Sequence, residues 1–398
     1  MSYYPLTTNT LSQKDKKLAI KVLKSGHITR GKYNYKVEKF FSKKFNRYAL
    51  LVNSGSSANL LSFALLTNKL SKYNFKKGDE VIIPSLCWST SLYPIIQMGL
   101  KPVFIDIDIN TLNISLEQLE KAINKNTKAL MLVHALGNCA DMSNLLKILK
   151  KNNIILIEDC CEALGSKFKD KYLGTFGSIS TFSFYFSHHI TSGEGGLILC
   201  KNKKDYLILL SLRAHGWSRE IDELNNVKKN KFGNQFNFIN LGYNMRLTDI
   251  QAALLYNQAF KIDMFYRNRN YNYNKIYKKI LNSDILKSNL YLVTNNPLNK
   301  ISWFNFPIIL KKFGKNKRDQ ICIKLNNLGI ETRPIISGDF SQQNIIKKIY
   351  NKLNANKYPN ALKITKSGFM IGISSNKLKD KVIEKLVFDL EKIVCDYL

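Results

Sequence analysis

Between residues 49 and 157 the chain alternates short apolar runs with amphipathic stretches, and no other feature limits its fold as strongly. Ala49–Val52, Glu80–Ile83, Pro102–Ile105, Ala129–Val133 and Ile154–Ile157 are short runs rich in Val, Ile and Leu. They read as buried strands. Ser57–Leu66, Ser89–Met98, Ser115–Ile123 and Met142–Lys150 lie between them with helical spacing of their apolar residues. Strand and helix alternating at this interval predict βαβ units, a mainly parallel sheet, and ligands at the carboxyl ends of its strands. Further on, Thr181–Tyr185 and Gly196–Cys200 are strand-like with no helix between them, which predicts an antiparallel or mixed edge.

Upstream, Ser12-Gln13-Lys14-Asp15 is a capping box that opens a helix closed by Gly26, and a second helix runs through Tyr35–Phe41. Downstream, one long helical stretch begins near Thr248 and passes through Phe265–Tyr277. Trp303–Leu310, the helix Lys317–Leu328, the strand Glu331–Ile336 and the helix Lys377–Val394 follow. The expected architecture is α/β, with a large unit over residues 1–260 and a smaller C-terminal α+β unit over 261–398. A chain of 398 residues supports two such units without disulfides or metals.

Sixty-one Lys and Arg against 29 Asp and Glu give a net charge of +32. The lysines are spread evenly among Asn and Ile rather than gathered into an arm or stripe, so a nucleic-acid partner is not expected. Seven cysteines, odd in number and with no CxxC pair, argue against a disulfide framework or a zinc site. Reduced thiols, a polar N-terminus and the lack of ~18 uninterrupted apolar residues predict a cytoplasmic protein with no membrane partner.

Three segments carry the chemistry. Asn53-Ser54-Gly55-Ser56-Ser57-Ala58-Asn59 follows a strand and starts a helix. It reads either as a phosphate cradle built from backbone N–H groups and small hydroxyls, or as an ordinary serine-capped turn. Glu158-Asp159 ends a strand, with Glu162 three residues on. A carboxylate there serves as a metal ligand, a general base, the partner of a protonated pyridine nitrogen, or merely a helix cap. In Ser183-Phe184-Tyr185-Phe186-Ser187-His188-His189-Ile190-Thr191-Ser192-Gly193-Glu194-Gly195-Gly196, two of the five histidines stand side by side between an aromatic strand and a glycine-rich turn. They are structural, or they move protons.

The order SGSSAN, IEDCCEALGS, SFYFSHHITSGEGG, LGYNMRLTDIQAAL and GIETRPI resembles the DegT/DnrJ/EryC1/StrS family of sugar-modifying enzymes. The likeness runs from Ser25-Gly26-His27 to Gly368–Gly372. It implies the aspartate aminotransferase fold (fold type I) and pyridoxal phosphate as cofactor. In the family's aminotransferases, a lysine that tethers the cofactor as a Schiff base occupies the position of His188. No lysine stands between Lys171 and Lys201 here. Without that amine the cofactor is held noncovalently, and an imidazole with pKa near 6.5 remains to move protons. The exchange resembles the family's sugar 3-dehydratases, and the cysteines do not supply the tetrad of an iron–sulfur relative.

The resemblance implies further roles. Gly55, Ser56, Ser57 and Ser183 would hold the cofactor phosphate, and Trp88 would stack on the ring unless it is a buried anchor. Asp159 would pair with the pyridine nitrogen, and Glu162 would support that site or hydrogen-bond the ring hydroxyl. Asn244 would reach the phosphate in a neighbouring subunit, implying a homodimer with shared active sites. His188 and His215 are the candidate acid–base groups, the latter with a structural reading beside it. Gly26 and Arg333 are candidate substrate contacts, although an exposed arginine is commonly only a solvated charge. The implied reaction removes the 3-hydroxyl of a nucleotide-linked, preferably GDP-linked, 4-keto-6-deoxy sugar. L-glutamate would convert pyridoxal phosphate to pyridoxamine phosphate. The alternative is a nucleotide-sugar 4-aminotransferase of the same family.

Overall fold

A computed structural model describes residues 2–218, 221, 236–312, 314–350 and 357–398. We number the strands of five or more residues in chain order. β1 (Tyr48–Val52), β2 (Glu80–Pro84), β3 (Lys101–Ile105), β4 (Thr127–Val133), β5 (Ile155–Asp159), β6 (Ile179–Ser183) and β7 (Gly196–Cys200) form one sheet in the order β1-β7-β6-β5-β4-β2-β3. The five strands from β6 to β3 are mutually parallel. Their cores, such as Leu130 to Leu132 and Val81 to Ile83, are fully buried, as expected of strands covered by helices on both faces.

The expected antiparallel element is present but is not an edge. β7 runs antiparallel to β6 on one side and to β1 on the other, so it lies inside the sheet. Local apolar patterning reports burial, not which neighbour supplies it, and β1 was legible only as one more strand. Gly196 opens β7 because a Cβ there would stand 2.2 Å from the Ser54 carbonyl oxygen and 2.8 Å from the Gly55 nitrogen.

The helices Gly55–Leu66, Ser89–Gln97, Leu116–Ala122 and Met142–Lys151 connect the parallel strands. The capping box at Ser12 forms, with the Ser12 N–H donating to Asp15 Oδ2 at 2.7 Å. The long downstream stretch is two helices, Asp249–Ala259 and Ile262–Leu281, interrupted at Phe260-Lys261. Continuous helical periodicity conceals such a break.

β8 (Asn305–Leu310) and β9 (Gly368–Gly372) are the centre of a second, antiparallel sheet of four strands. The strand expected over Glu331–Ile336 shortens to Thr332–Arg333, since the chain turns at Ile336 with φ +51°. The helices Lys315–Asn327, Pro359–Ser367 and Asp380–Cys395 belong to this α+β layer. The N-terminus joins it as well, where the Tyr4 hydroxyl donates to the Gly372 carbonyl at 2.9 Å. Among the described residues, no helix is long and apolar enough to cross a membrane.

Candidate active site

A cleft of about 630 Å³ opens at the carboxyl ends of the parallel strands. Of the residues singled out from sequence, Gly55, Ser56, Trp88, Asp159, Glu162, Ser183, His188 and Arg333 line it. Ser57 lies just behind, and its N–H donates to Ser54 Oγ at 3.0 Å as the cap of the helix Gly55–Leu66. His215, Asn244 and Gly26 are not brought to this cleft. His215 Nε2 lies 3.3 Å from an Arg246 nitrogen and its ring packs on Trp217 at 4.8 Å. Asn244 Oδ1 accepts from Arg246 Nε at 3.1 Å, and Gly26 sits in an exposed turn.

The cradle is tight. A Cβ on Gly55 would fall 2.7 Å from Ser183 Cβ and 3.2 Å from Cys161 Sγ, so only glycine lets the three segments meet. Ser54 and Ser56 present small hydroxyls at the helix N-terminus, where the backbone dipole favours an anion. Trp88 is 55% exposed at the cleft wall, which excludes the buried-anchor reading.

Asp159, at the end of β5, is buried and oriented by three donors. Its Oδ2 accepts from Ser91 Oγ at 2.7 Å and Asn59 Nδ2 at 3.0 Å, and Oδ1 accepts from the Cys161 N–H at 3.1 Å. Asn59 is itself fixed, because its Oδ1 accepts from Thr181 Oγ1 at 2.6 Å and leaves its NH2 to face the carboxylate. Glu162 accepts from the Leu136 N–H at 2.8 Å. Burial pushes its carboxyl up to about 7, against the pull of that N–H and with the nearby Asp159 charge adding to the rise.

His188 sits in the excursion between β6 and β7. Its Nδ1 lies 2.9 Å from the Cys161 carbonyl oxygen. A carbonyl only accepts, so Nδ1 carries the proton and Nε2 keeps its lone pair. Nε2 has no hydrogen-bond partner among the described residues. Burial, helped by the Arg269 charge, holds the imidazole down to about 3. The ring is therefore neutral and able to accept a proton. His189 is different: it is buried, with Nε2 2.9 Å from the Ser302 carbonyl. No lysine lines the cleft among the described residues.

Sequence reasoning passed over Ser54 as an individual, Ser91, Asn59, Thr181, Phe304 and His134. His134 had a signal, being one of only five histidines and directly following a strand. It lines the cleft with Nε2 3.3 Å from Glu158 Oε2. Ligand atoms of His134, Glu158 and Cys160 lie within 4.8 Å of one another. This is a hydrogen-bonded cage, because Glu158 also accepts from the N–H groups of Gly174, Phe176 and Gly177 at 2.6 to 2.8 Å. Burial raises the Cys160 thiol well above its usual value, which disfavours a metal-binding thiolate.

Residues 9–390 match the model of the DegT/DnrJ/EryC1/StrS aminotransferase family. The chain belongs to that family. Among DegT/DnrJ/EryC1/StrS relatives, GDP-4-keto-6-deoxy-D-mannose 3-dehydratase of Escherichia coli O55:H7 (strain CB9615 / EPEC) is 38% identical over 387 residues, spanning 96% of this chain and 98% of the relative. A solved structure of the E. coli GDP-4-keto-6-deoxy-D-mannose-3-dehydratase with bound hydrated PLP superposes with a TM-score of 0.91 at 38% identity. It covers 98% of this chain and 100% of its own. A second, of GDP-4-keto-6-deoxymannose-3-dehydratase with a trapped PLP-glutamate geminal diamine, gives 0.89 at 36% identity, covering 98% and 100%.

Proposed function

We propose that this chain is a pyridoxal/pyridoxamine phosphate-dependent 3-dehydratase of a GDP-linked 4-keto-6-deoxy sugar. L-glutamate is the amino donor and leaves as its 2-oxo acid, and the other products are ammonia and a 4-keto-3,6-dideoxy sugar. One observation carries the reading: the basic group of the cleft is an imidazole with Nε2 free, and no lysine among the described lining residues offers a tether. The relatives' names supply the nucleotide and the sugar.

The residues present fit the cofactor. A helix N-terminus with Gly55, Ser56 and Ser57, joined by Ser183, suits its phosphate; the exposed Trp88 face suits its ring; the buried Asp159 carboxylate suits a protonated pyridine nitrogen. Glu162 would hydrogen-bond the ring hydroxyl or support the Asp159 site. When bound, the cofactor supplies an electron sink and an amino group that passes between amino acid and keto sugar. His188 takes up at Nε2 the proton whose removal drives departure of the 3-hydroxyl. Its Nδ1–H, held by Cys161, stabilises the imidazolium that forms. A lysine would return a proton to the sugar and favour amination; this imidazole leaves elimination as the outcome. Arg333, at the mouth, meets the carboxylate or phosphate of an incoming substrate.

Asn244 and His215 take their place in a homodimer with shared active sites, where Asn244 completes the phosphate site of the opposite subunit. Gly26 is assigned to the substrate side of that assembly. The division into units at residue 260 follows the helix break at Phe260-Lys261. All seven cysteines are free, in keeping with the cytoplasm.

The test is incubation with glutamate, cofactor and GDP-4-keto-6-deoxymannose. Ammonia and a 3-deoxy sugar are expected, with no lysine-bound cofactor after borohydride reduction and mass spectrometry. A 4-amino sugar formed without ammonia would overturn the assignment in favour of an aminotransferase.

A further inference from the structure

The helix Ile262–Leu281 carries Arg269, which is 3% exposed. Its guanidinium donates from Nη1 to the Trp303 carbonyl at 3.0 Å and the Phe304 carbonyl at 2.8 Å, and from Nε to Ser375 Oγ at 3.1 Å. Among the described residues it has no carboxylate within ion-pairing distance. A buried cation held only by neutral acceptors is costly, and packing alone does not require one.

The surroundings point to what it serves. The two carbonyls it grips belong to a turn that is anchored again on each side. The Phe304 N–H donates to the Leu136 carbonyl at 2.9 Å, and the Ser302 N–H to Ser166 Oγ at 2.8 Å. The Phe304 ring that this turn presents lines the cleft and lies 5.1 Å from the His188 ring and 5.8 Å from the His189 ring. The Ser302 carbonyl, in the same turn, holds His189 Nε2. Trp303 is stacked on Tyr273 at 3.8 Å, one helical turn along from Arg269. One side chain thus gathers the backbone that touches both histidines.

We propose that Arg269 is the positioning residue of His188: its guanidinium fixes the Trp303–Phe304 turn so that the Phe304 ring braces the imidazole whose Nδ1 is held by Cys161. The brace leaves Nε2 one orientation in the cleft, and the fixed positive charge nearby opposes a resting proton on it. This deepens the dehydratase reading and rests on it.

The test is a double-mutant cycle on the holoenzyme, using Arg269→Met, Arg269→Lys and His188→Asn, with single-turnover dehydration as the readout and cofactor affinity measured alongside. In the unsubstituted background, Arg269→Met is expected to slow turnover at least tenfold with KM within about twofold. Arg269→Lys should recover part of that loss, by keeping the charge without the two-carbonyl fork. In the His188→Asn background, both Arg269 substitutions should have little further effect, because a residue acting through His188 has nothing left to position. Equal fold-losses in the two backgrounds would overturn the proposal and leave Arg269 a structural residue. Should Arg269→Met not fold, Arg269→Lys alone decides by the same comparison. If His188→Asn by itself leaves dehydration unchanged, the dehydratase mechanism fails instead, so the two failures are distinct.

Discussion

Asp159→Asn changes one carboxylate oxygen into an amide nitrogen and leaves the shape of the side chain as it was. The carboxylate accepts three hydrogen bonds, two at Oδ2 and one at Oδ1. An asparagine has one accepting oxygen, so its NH2 must face a donor whichever way it turns. Facing Cys161 leaves one buried N–H unmatched. Facing Ser91 and Asn59 also leaves one, because the Ser91 hydroxyl can turn to accept but Asn59 cannot turn over without losing Thr181. Either way one buried donor is unmatched, which costs about 1–3 kcal/mol of stability. The loss to cofactor binding is separate. A charge-assisted bond to the protonated pyridine nitrogen contributes about 1.5–3 kcal/mol more than none, which corresponds to a dissociation constant raised roughly 10- to 100-fold. Fluorescence titration with pyridoxal phosphate, run beside chemical denaturation, measures both. An affinity within twofold of the unsubstituted protein, with stability reduced as expected, would refute the pairing of Asp159 with the ring nitrogen.

His188→Gln retains a polar group near the Cys161 carbonyl but has no basic nitrogen; ammonia release should fall by about 10²-fold or more while pyridoxal phosphate affinity stays within a few-fold. Gly55→Ala places a methyl 2.7 Å from Ser183 Cβ; it should weaken cofactor binding, read by titration, far more than it lowers the melting temperature. Glu162 has its folded-state carboxyl raised to about 7 from an unfolded value near 4.5. Its contribution to stability is therefore present in full below about pH 4.5 and is lost as pH rises through 7. The neutral, half-buried His188 and buried His189 have lowered values and act in the opposite sense below pH 6.5. The cofactor-free Glu162→Gln variant isolates the carboxyl: relative to the unsubstituted protein, it should gain stability between about pH 5 and 7.5 in thermal melts.

Much of this was legible because periodicity is local. Strands β1 to β5 were visible as apolar runs, and the capping box at Ser12 follows from residue type and spacing. The glycine-serine turn after β1 and the histidine pair before Gly193-Glu194-Gly195-Gly196 also announce themselves, since few residue types suit those positions. What escaped depends on tertiary neighbours. Nothing in Asn59, Ser91 or Thr181 reveals that they converge on Asp159, because each is a common polar residue inside or beside an ordinary element. The Cys161 group that orients His188 is a backbone carbonyl, which every residue has. The interior place of β7 was hidden for the same reason, and the break at Phe260-Lys261 falls within a pattern that reads as helix throughout.

The reversed strand one place in from the edge of the large sheet has one last implication. The serine turn leaves β1, Ser183 ends β6, and the histidine excursion returns into β7, with Val52 and Ser183 both paired to Gly196. Phosphate anchor and base thus hang from three adjoining rungs of one ladder. Their separation is set by backbone hydrogen bonds, so exchanging the loops around Arg333 for others would alter which sugar is admitted while leaving the reach from anchor to base intact.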